Sequence, residues 1–597
     1  MTLTMNPPTL ALKEIPRAPR RIRAANALVE SLKREGVTHI FGMPGGASLP
    51  IYDAFYDFPE IKHLLMRHEQ SAIHAAAGFA RASGRAGFCT ATSGPGATNL
   101  VTGLADAILD STPVVAVTGQ IVTTWIGKDG FQEADIIGIT LPVTKHNWLV
   151  MNADEISATI HDAFYTATRG RQGPVLVDIP RDVLQKEIDF DADALFPTPR
   201  YQPPRHADMQ MLARAADAIG KSKRPLLYVG GGAISSDAWR EVRTLAEKTR
   251  VPVTTTLMGK GAFPESHPQS VGMLGMHGTA YANYAMHETD LIIAVGARFD
   301  DRVTGKLAAF APHAKVIHID VDAAEIHKNR KADFPLLGDA KTVLADLIPL
   351  VAAPETEAWW KQINEWRAKY PLRHHQAGDV IKPQFAIDVL YQMTKAQNPI
   401  VTVDVGQHQM WAAQFFKSEE PRTFITSGGL GTMGYSLPAA LGAQCARPDR
   451  LVLGICGDGC FQMTMQALIT AVEEKMPLKI FIINNGSLGM VRQWQELFYK
   501  ERYHSVHLTN PDFAQVAKAF GAVGLSVSRS AEIEAVYRRA LAVKDGPVVV
   551  DVHCDPTENC FPMIPSGTTI HDMVIEDPRY GESGRRTPDA GRRTAGL

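Results

Sequence analysis

Cysteine is scarce in this chain: six in 597 residues, at Cys89, Cys445, Cys456, Cys460, Cys554 and Cys560, with no Cys-x-x-Cys pair. That excludes a disulfide framework and leaves reduced thiols, and with them a cytoplasmic location, as the expectation. Long apolar runs are missing too. No uncharged stretch of about 18 apolar residues occurs, so no membrane-spanning helix is expected. The first 20 residues carry prolines, Lys13, Glu14 and Arg17 where a secretory signal needs a continuous apolar segment, and no serine where an organellar leader would be rich in it.

A surplus of charge of one sign is likewise absent. Lys and Arg number 61 against 63 Asp and Glu, so the chain offers no basic field for nucleic acid, and small-molecule chemistry is the better expectation. With 45% hydrophobic and 21% charged residues, the composition is that of a folded globular protein. The length suits about three or four domains.

What is present is an alternation of short apolar runs, ending in Gly-rich turns, with helix-like segments. This is the pattern of α/β domains built on doubly wound parallel sheets. Two stretches interrupt it, one with Pro197, Pro199, Pro203 and Pro204 and a polar one between about Ala352 and Pro383. Both read as linkers. The expected organisation is an arm at 1–20, domains at 21–190, 207–352 and 383–576, linkers at 191–206 and 353–382, and a polar tail at 577–597. The first and last domains both place a Gly-rich turn after a strand, Ser93-Gly-Pro-Gly-Ala-Thr98 and Ser427-Gly-Gly-Leu-Gly-Thr432. Ligands gather at the carboxyl ends of such strands, so two domains face to face can grip the two ends of one cofactor.

The most informative segment is a strand, Leu451 to Cys456, then Gly457-Asp458-Gly459, a helix-like run from Phe461 to Lys475, and a strand, Lys479 to Ile483, ending in Asn484-Asn485. A right-handed β-α-β crossover makes the two strands parallel neighbours, so Asp458 and Asn485 meet at one sheet edge. A carboxylate and an amide oxygen suit Mg²⁺, whose shell is completed by water and phosphate. The flanking glycines allow close approach of phosphates. Taken alone, Gly-Asp-Gly is an ordinary tight turn; the paired asparagines give it chemical content. In the first domain a strand-like Ile61 to Met66 leads through Arg67-His68-Glu69-Gln70 into a small-residue helix from Ser71 to Ala82. A carboxylate at a helix start is favoured by the dipole, which alone accounts for Glu69.

With Gly-Asp-Gly, the helix and Asn-Asn in place, the sequence resembles the thiamine diphosphate enzymes. The resemblance runs from about Arg23 to His571 and narrows to the acetohydroxyacid synthases through Phe41-Gly-Met-Pro-Gly-Gly-Ala47, Thr92-Ser-Gly-Pro-Gly-Ala-Thr-Asn-Leu100, Gly406-Gln-His-Gln-Met-Trp411 and Gly489-Met-Val-Arg-Gln-Trp494. It implies a pyrimidine-binding first domain, an FAD-binding central domain and a diphosphate-binding last domain. It implies decarboxylation of pyruvate and ligation of the two-carbon unit to pyruvate or 2-oxobutanoate. Asp458, Asn485 and the Ser487 carbonyl would hold Mg²⁺. Gln407, His408, Gly431, Met433, Gly459, Cys460, Gly489 and Met490 would contact thiamine diphosphate, Met433 bending it so that its two rings meet. Glu69 would hydrogen-bond the aminopyrimidine and favour the imino tautomer that takes the reactive proton.

For the acceptor, Arg302 would bind the carboxylate and Trp494 would form an apolar wall, with Gly46 and Phe131 along the substrate path and Gln132 there as a catalytic residue beside Glu69 and Met433. Lys128 and Gly130 depart from the family's usual Gly-Thr-Asp-Ala-Phe-Gln-Glu, which bears on channel flexibility or inhibitor response and removes no catalytic group. On residue type alone, Arg302 is a surface ion pair and Trp494 a packing residue.

Pro225-Leu-Leu-Tyr-Val-Gly-Gly-Gly232 and Val316-Ile-His-Ile-Asp320 are strands ending in a Gly turn and an acid, without the spacing of a nicotinamide site. The resemblance puts FAD against Gly230, Gly231, Gly232, Thr256, Leu257, Leu274, Met276, His277, Gly296, Arg298, Asp320, Val321, Asp339 and Ala340, with Arg171 from the first domain. Arg181 stands where many members have Lys. Carboligation has no net redox step, so a structural flavin is expected. The resemblance further implies sites shared between two subunits of a homodimer or homotetramer, and a small regulatory subunit in some members. Two nearer alternatives are an FAD-independent catabolic acetolactate synthase, which the Arg302 and Trp494 motifs oppose, and a glyoxylate carboligase, which Glu69 opposes. A flavin-dependent oxidoreductase is the alternative of a different class.

Overall fold

The computed structural model describes residues 19–197 and 199–577. Apart from their inner margins, the arm at 1–20 and the tail at 577–597 lie outside the described residues.

Three parallel sheets of six strands form the frame. In spatial order the first holds Lys62–Leu65, His39–Gly42, Gly87–Ala91, Val114–Gln120, Val175–Pro180 and His146–Leu149. The last holds Phe424–Thr426, Ile400–Val403, Val452–Gly457, Lys479–Asn484, Val548–His553 and Val523–Val527. With strands numbered along the chain within each sheet, both have the order 2-1-3-4-6-5. The shared Gly-turn habit of the two domains thus reflects one topology used twice. The central sheet, Ser270–Met273, Val253–Thr255, Pro225–Val229, Leu291–Val295, Lys315–Asp320 and Phe334–Leu337, has the order 3-2-1-4-5-6 of dinucleotide-binding folds. Strands such as Val114–Gln120 and Val175–Pro180 are buried along their whole length, as expected for sheets covered on both faces. A separate antiparallel pair joins Arg20–Arg23 to Glu187–Phe190.

The first and last sheets are fused through two helices. Glu69–Ser83 is capped by His68, whose Nδ1 accepts from Gln70 N, and ends at Gly84 with φ +75°. Its Ala- and Gly-rich face lies on Ser436–Ala446, and one apolar cluster runs through both. A Cβ added at Gly78 would overlap the Ala439 backbone, and one at Gly442 the Ala75 carbonyl. The two backbones are therefore as close as bare glycine permits.

Two expectations differ from the outcome in detail. Within the polar stretch 353–382 a helix, Glu357–Lys369, docks on the central domain: Trp359 is buried in an apolar cluster and its indole N–H donates to the Pro225 carbonyl at 3.1 Å. Trp359, Ile363 and Trp366 recur at helical spacing, a signal diluted by the polar residues between them. The helix-like run after Gly459 is divided into Asp458–Thr464, a tight turn Met465–Ala467, and Leu468–Glu473. The break falls at Thr464, whose hydroxyl donates to the Gly434 carbonyl at 2.9 Å.

The close helix crossing predicts that Gly442→Val, by overpacking against Ala75, lowers stability by about 1–3 kcal/mol or more. The measurement is the denaturant midpoint of the full-length chain, and an unchanged midpoint would contradict the close approach.

Candidate active site

At the carboxyl edge of the last sheet, Val452–Gly457 and Lys479–Asn484 are parallel neighbours with Gly457 opposite Ile483. Asp458 opens the next helix and Asn485 leaves the next strand, so the two side chains emerge at one edge. Asp458 Oδ1 accepts from Gly459 N at 2.9 Å and Oδ2 from Asn510 Nδ2 at 2.8 Å; Asn510 also donates to Asn484 Oδ1 at 2.9 Å. Asn485 Oδ1 accepts from Ser487 N at 3.2 Å, while its Nδ2 donates to Gln407 Oε1 at 3.2 Å. Burial raises the Asp458 carboxyl above its ordinary range, opposed by these hydrogen bonds.

Glycines keep this sheet edge closely packed yet free of side chains. Gly406, with φ +140°, opens the helix Gln407–Phe415. A Cβ on Gly457 would stand 2.7 Å from the His408 ring, and one on Gly489 would overlap Gln407 and crowd Asn485 Nδ2 at 2.7 Å. The His408 imidazole is pushed down to about 3 by burial, so it is neutral at pH 7, and its Nε2 is buried without a partner. A neutral imidazole with an unused ring nitrogen fits a phosphate oxygen. Among the described residues no group of three or more His, Cys, Asp or Glu gathers to hold a metal. The oxygen set of one carboxylate, amides and carbonyls suits Mg²⁺ that keeps water and phosphate ligands. Cys460 and Gly459 line the helix start, and a Cβ at Gly459 would lie 3.7 Å from Met433 Cε.

A second group lies at the carboxyl edge of the first sheet. Glu69 is 3% exposed, and its Oε2 accepts from Asn99 Nδ2 at 3.0 Å. A Cβ on Gly96 would be 3.2 Å from Glu69 Oε1, so this glycine leaves room beside the carboxylate. Gly94, at φ +58°, sits against the backbone of Gln132, itself at φ +60°. Next to Gln132, Phe131 is 88% exposed. An added Cβ at Gly46 meets open space.

The third group surrounds a cleft of about 1540 Å³, larger than the usual small-molecule pocket of roughly 300–1,000 Å³. It opens where the central sheet reverses its strand order, between Pro225–Val229 and Leu291–Val295, which is where dinucleotides bind. Every central-domain residue expected to face a flavin lines it, from Gly230, Gly231 and Gly232 through Thr256, Leu257, Leu274, Met276, His277, Gly296 and Arg298 to Asp320, Val321, Asp339 and Ala340, and Arg171 joins from the first domain. Gly230 and Gly232 approach Gly296 so closely that a Cβ on Gly232 would lie 2.7 Å from its Cα. Arg171 Nη1 pairs with Glu325 at 2.6 Å and Asp322 at 3.2 Å. Burial pushes the Asp320 carboxyl up to about 6.

The same cleft reaches Gly431, Met433, Met490, Trp494 and Arg302. Arg302 Cζ stands 5.9 Å from the Trp494 ring centroid, a cation–π pair. Its ion pair with Asp301 is long, at 3.8 Å, and exposed, so it holds the guanidinium weakly. Glu69, Gly46, Phe131 and Gln132 are not part of this cleft.

Three residues given no role in the sequence reading buttress these groups. Asn99 holds Glu69, and Asn510 holds Asp458. Asp404, buried and pushed up to about 6 by burial, accepts from the backbone N–H of Val405, Gly434, Tyr435 and Ser436 and so fixes the turn after Met433. Asp404 directly follows the strand Ile400–Val403, the one signal that marks it in sequence. Asn510 has no local signature, because its partner lies far along the chain; Asn99 falls within the Thr92–Leu100 segment, where nothing local marks Glu69 as its partner.

Three family profiles match: "Thiamine pyrophosphate enzyme, N-terminal TPP binding domain" at residues 22–139, the central domain at 212–347 and the "C-terminal TPP binding domain" at 404–552. The chain is 49% identical to an acetolactate synthase of Mycobacterium bovis, with 93% of this chain and 91% of that protein covered. It is 48% identical to an acetolactate synthase large subunit of Corynebacterium glutamicum, over 95% and 92% of the two chains. It is 50% identical to that of Parasynechococcus marenigrum, over 93% and 91%.

The Asn510 bridge generates a test. Groups that orient a metal-binding carboxylate are worth about 10- to 100-fold in metal affinity. Asn510→Ala is expected to weaken Mg²⁺-dependent thiamine diphosphate binding by about that factor in calorimetry, and wild-type affinity in this variant would show that Asp458 needs no such support.

Proposed function

The chain belongs to the acetolactate synthases among the thiamine pyrophosphate enzymes, and from that premise we propose how its residues form acetolactate. The reaction removes carbon dioxide from pyruvate and joins the remaining two-carbon unit to a second 2-oxoacid. Pyruvate as acceptor gives 2-acetolactate, and 2-oxobutanoate gives 2-aceto-2-hydroxybutanoate, in branched-chain amino acid biosynthesis. The observation that carries this reading is Arg302 set over Trp494 in the cleft that Met433 and Gly431 also line. A cation beside an apolar wall is what an acceptor with a carboxylate at one end and an alkyl chain at the other requires.

When bound, thiamine diphosphate supplies the carbon nucleophile and the electron sink that decarboxylation and ligation need. Asp458, Asn485 and the Ser487 carbonyl would hold Mg²⁺ against its diphosphate, with His408, Gln407, Gly459, Cys460, Gly489 and Met490 around it. Met433, which lies near Gly459, would press on the cofactor so that its two rings meet. Glu69 would hydrogen-bond the aminopyrimidine, and Gln132, Phe131 and Gly46 would lie along the path of the substrate.

Glu69 and its neighbours gather at the edge of the first sheet, separate from the cleft residues of the same chain. A second copy, in a homodimer or homotetramer, brings that edge to the diphosphate. FAD suits the Gly230–Gly232 cradle, the dinucleotide strand order and the volume of the cleft, and with no redox step it serves as structure. A small regulatory subunit suits a chain similar to proteins named large subunits. No helix among the described residues is long and apolar enough to cross a membrane, and a cytoplasmic location completes the reading.

The test is a product assay with pyruvate and 2-oxobutanoate in which each cofactor is omitted in turn. Acetolactate is expected only with thiamine diphosphate and Mg²⁺; flavin bleaching by substrate instead would identify an oxidoreductase. Glu69→Gln is expected to cost at least about 10²-fold in kcat, the scale of lost acid–base catalysis, and near-normal turnover would remove its role. One methylene against an apolar wall is worth about 1–3 kcal/mol. Trp494→Leu should therefore erase a preference for 2-oxobutanoate of about tenfold or more while sparing pyruvate self-ligation, and unchanged product ratios would refute the wall.

A further inference from the structure

The turn Ser427–Thr432, which carries Gly431 and leads into Met433, is held from below by two carboxylates of the first domain. Asp106 and Asp110 lie one helical turn apart, at the end of the helix Val101–Leu109 and just beyond it, and point the same way. Asp106 Oδ1 accepts from the Ser427 hydroxyl and from Thr432 Oγ1 at 3.2 Å, while Ser427 Oγ in turn accepts from Thr432 N at 2.8 Å. Asp110 accepts from Gly428 N at 2.9 Å and Gly429 N at 2.6 Å. A Cβ on Gly429 would stand 2.9 Å from Asp110 Oδ1, so glycine is what lets the carboxylate reach the backbone. Asp106 is 2% exposed and the Asp110 side chain 1%.

We propose that Asp106 and Asp110 are positioning residues for the reaction, holding the turn Ser427–Thr432 in the shape that presents Gly431 and Met433 to the cofactor. The proposal rests on the reading of the site given above and adds to it a control from the first domain of the same chain.

The two acids play different parts. Besides each other they face Arg81, whose Nη1 lies 3.6 Å from Asp110 Oδ2, and Arg298, which donates to the neighbouring Leu109 carbonyl at 2.7 Å. The buried Tyr435 phenol, raised by its burial, and His74 beside it, pushed down to about 3, are neutral at pH 7. The cationic charge nearby is concentrated at Asp110, which also takes two backbone N–H groups, so Asp110 carries the negative charge. Asp106, with hydroxyl partners alone, is pushed up to about 7 by burial first and then by Asp110. The stabilisation tied to its proton is complete below the ordinary carboxylate range and is lost as pH rises through about 7. Above that, two charges crowd beneath the turn.

The experiment uses the full-length holoenzyme and reads the thiamine diphosphate Kd and the kcat profile from about pH 6 to 9, a span bracketing the ordinary histidine range. Wild type is expected to lose cofactor affinity and kcat above about pH 7. Asp106→Asn, a neutral stand-in for the protonated acid, should flatten that alkaline fall. Asp110→Asn should raise the Kd roughly tenfold or more at every pH, on the scale of a lost charged hydrogen bond. Should it not fold, Ser427→Ala, which cuts the turn's side of the Asp106 bond, should raise the Kd about threefold or more. A wild-type alkaline fall in Asp106→Asn, or wild-type Kd in Asp110→Asn or Ser427→Ala, overturns the proposal. A wild-type chain that binds no thiamine diphosphate overturns the functional reading itself, a different result.

Discussion

Two helices pressed together at bare backbone, Glu69–Ser83 and Ser436–Ala446, set the positions of the groups that act. Their contact converts the first and last sheets, identical in strand order, into one packed body with a common core. Glu69 begins one of these helices. The other follows shortly after the turn that carries Gly431 and leads into Met433. Because interiors pack as densely as organic crystals, a shift of a few tenths of an ångström at this crossing is transmitted to both ends.

Around that frame, buried polar groups are organised by hydrogen bonding. Asp404 gathers four backbone N–H groups, Asp458 is bridged by Asn510, and Asp110 takes the two glycine amides. Each carboxyl is raised by desolvation and opposed by its donors. Such groups are costly to bury alone and rigid once satisfied, which suits positions where sub-ångström placement controls reactivity.

Much of this was legible in the sequence, for identifiable reasons. Parallel strands buried on both faces read as apolar runs, and the turns at their ends must be glycine where backbones nearly touch, as at Gly230–Gly232. The pairing of Asp458 with Asn485 follows from crossover handedness, and the strands do lie side by side. The residues grouped on the central cleft came from resemblance, and the cleft gathers them on one surface. The helix Glu357–Lys369 was hidden because three aromatic and aliphatic anchors sit among charges. Asn99, Asn510 and the Asp106–Asp110 pair were invisible for a different reason: their meaning lies in partners that only the folded chain brings near, in the last case 321 residues away. The repeated 2-1-3-4-6-5 order was similarly out of reach, since strand order is decided by crossovers and leaves no mark on the strands themselves.

The helix crossing also imposes a timetable on biosynthesis. Glu69–Ser83 leaves the ribosome long before Ser436–Ala446 exists, a delay on the order of half a minute at ~5–20 residues per second. Throughout that interval the alanine-rich flank of the nascent first domain stays uncovered while the central domain is being made. Any holding chaperone that attends this polypeptide has a defined place to sit and a defined moment to let go.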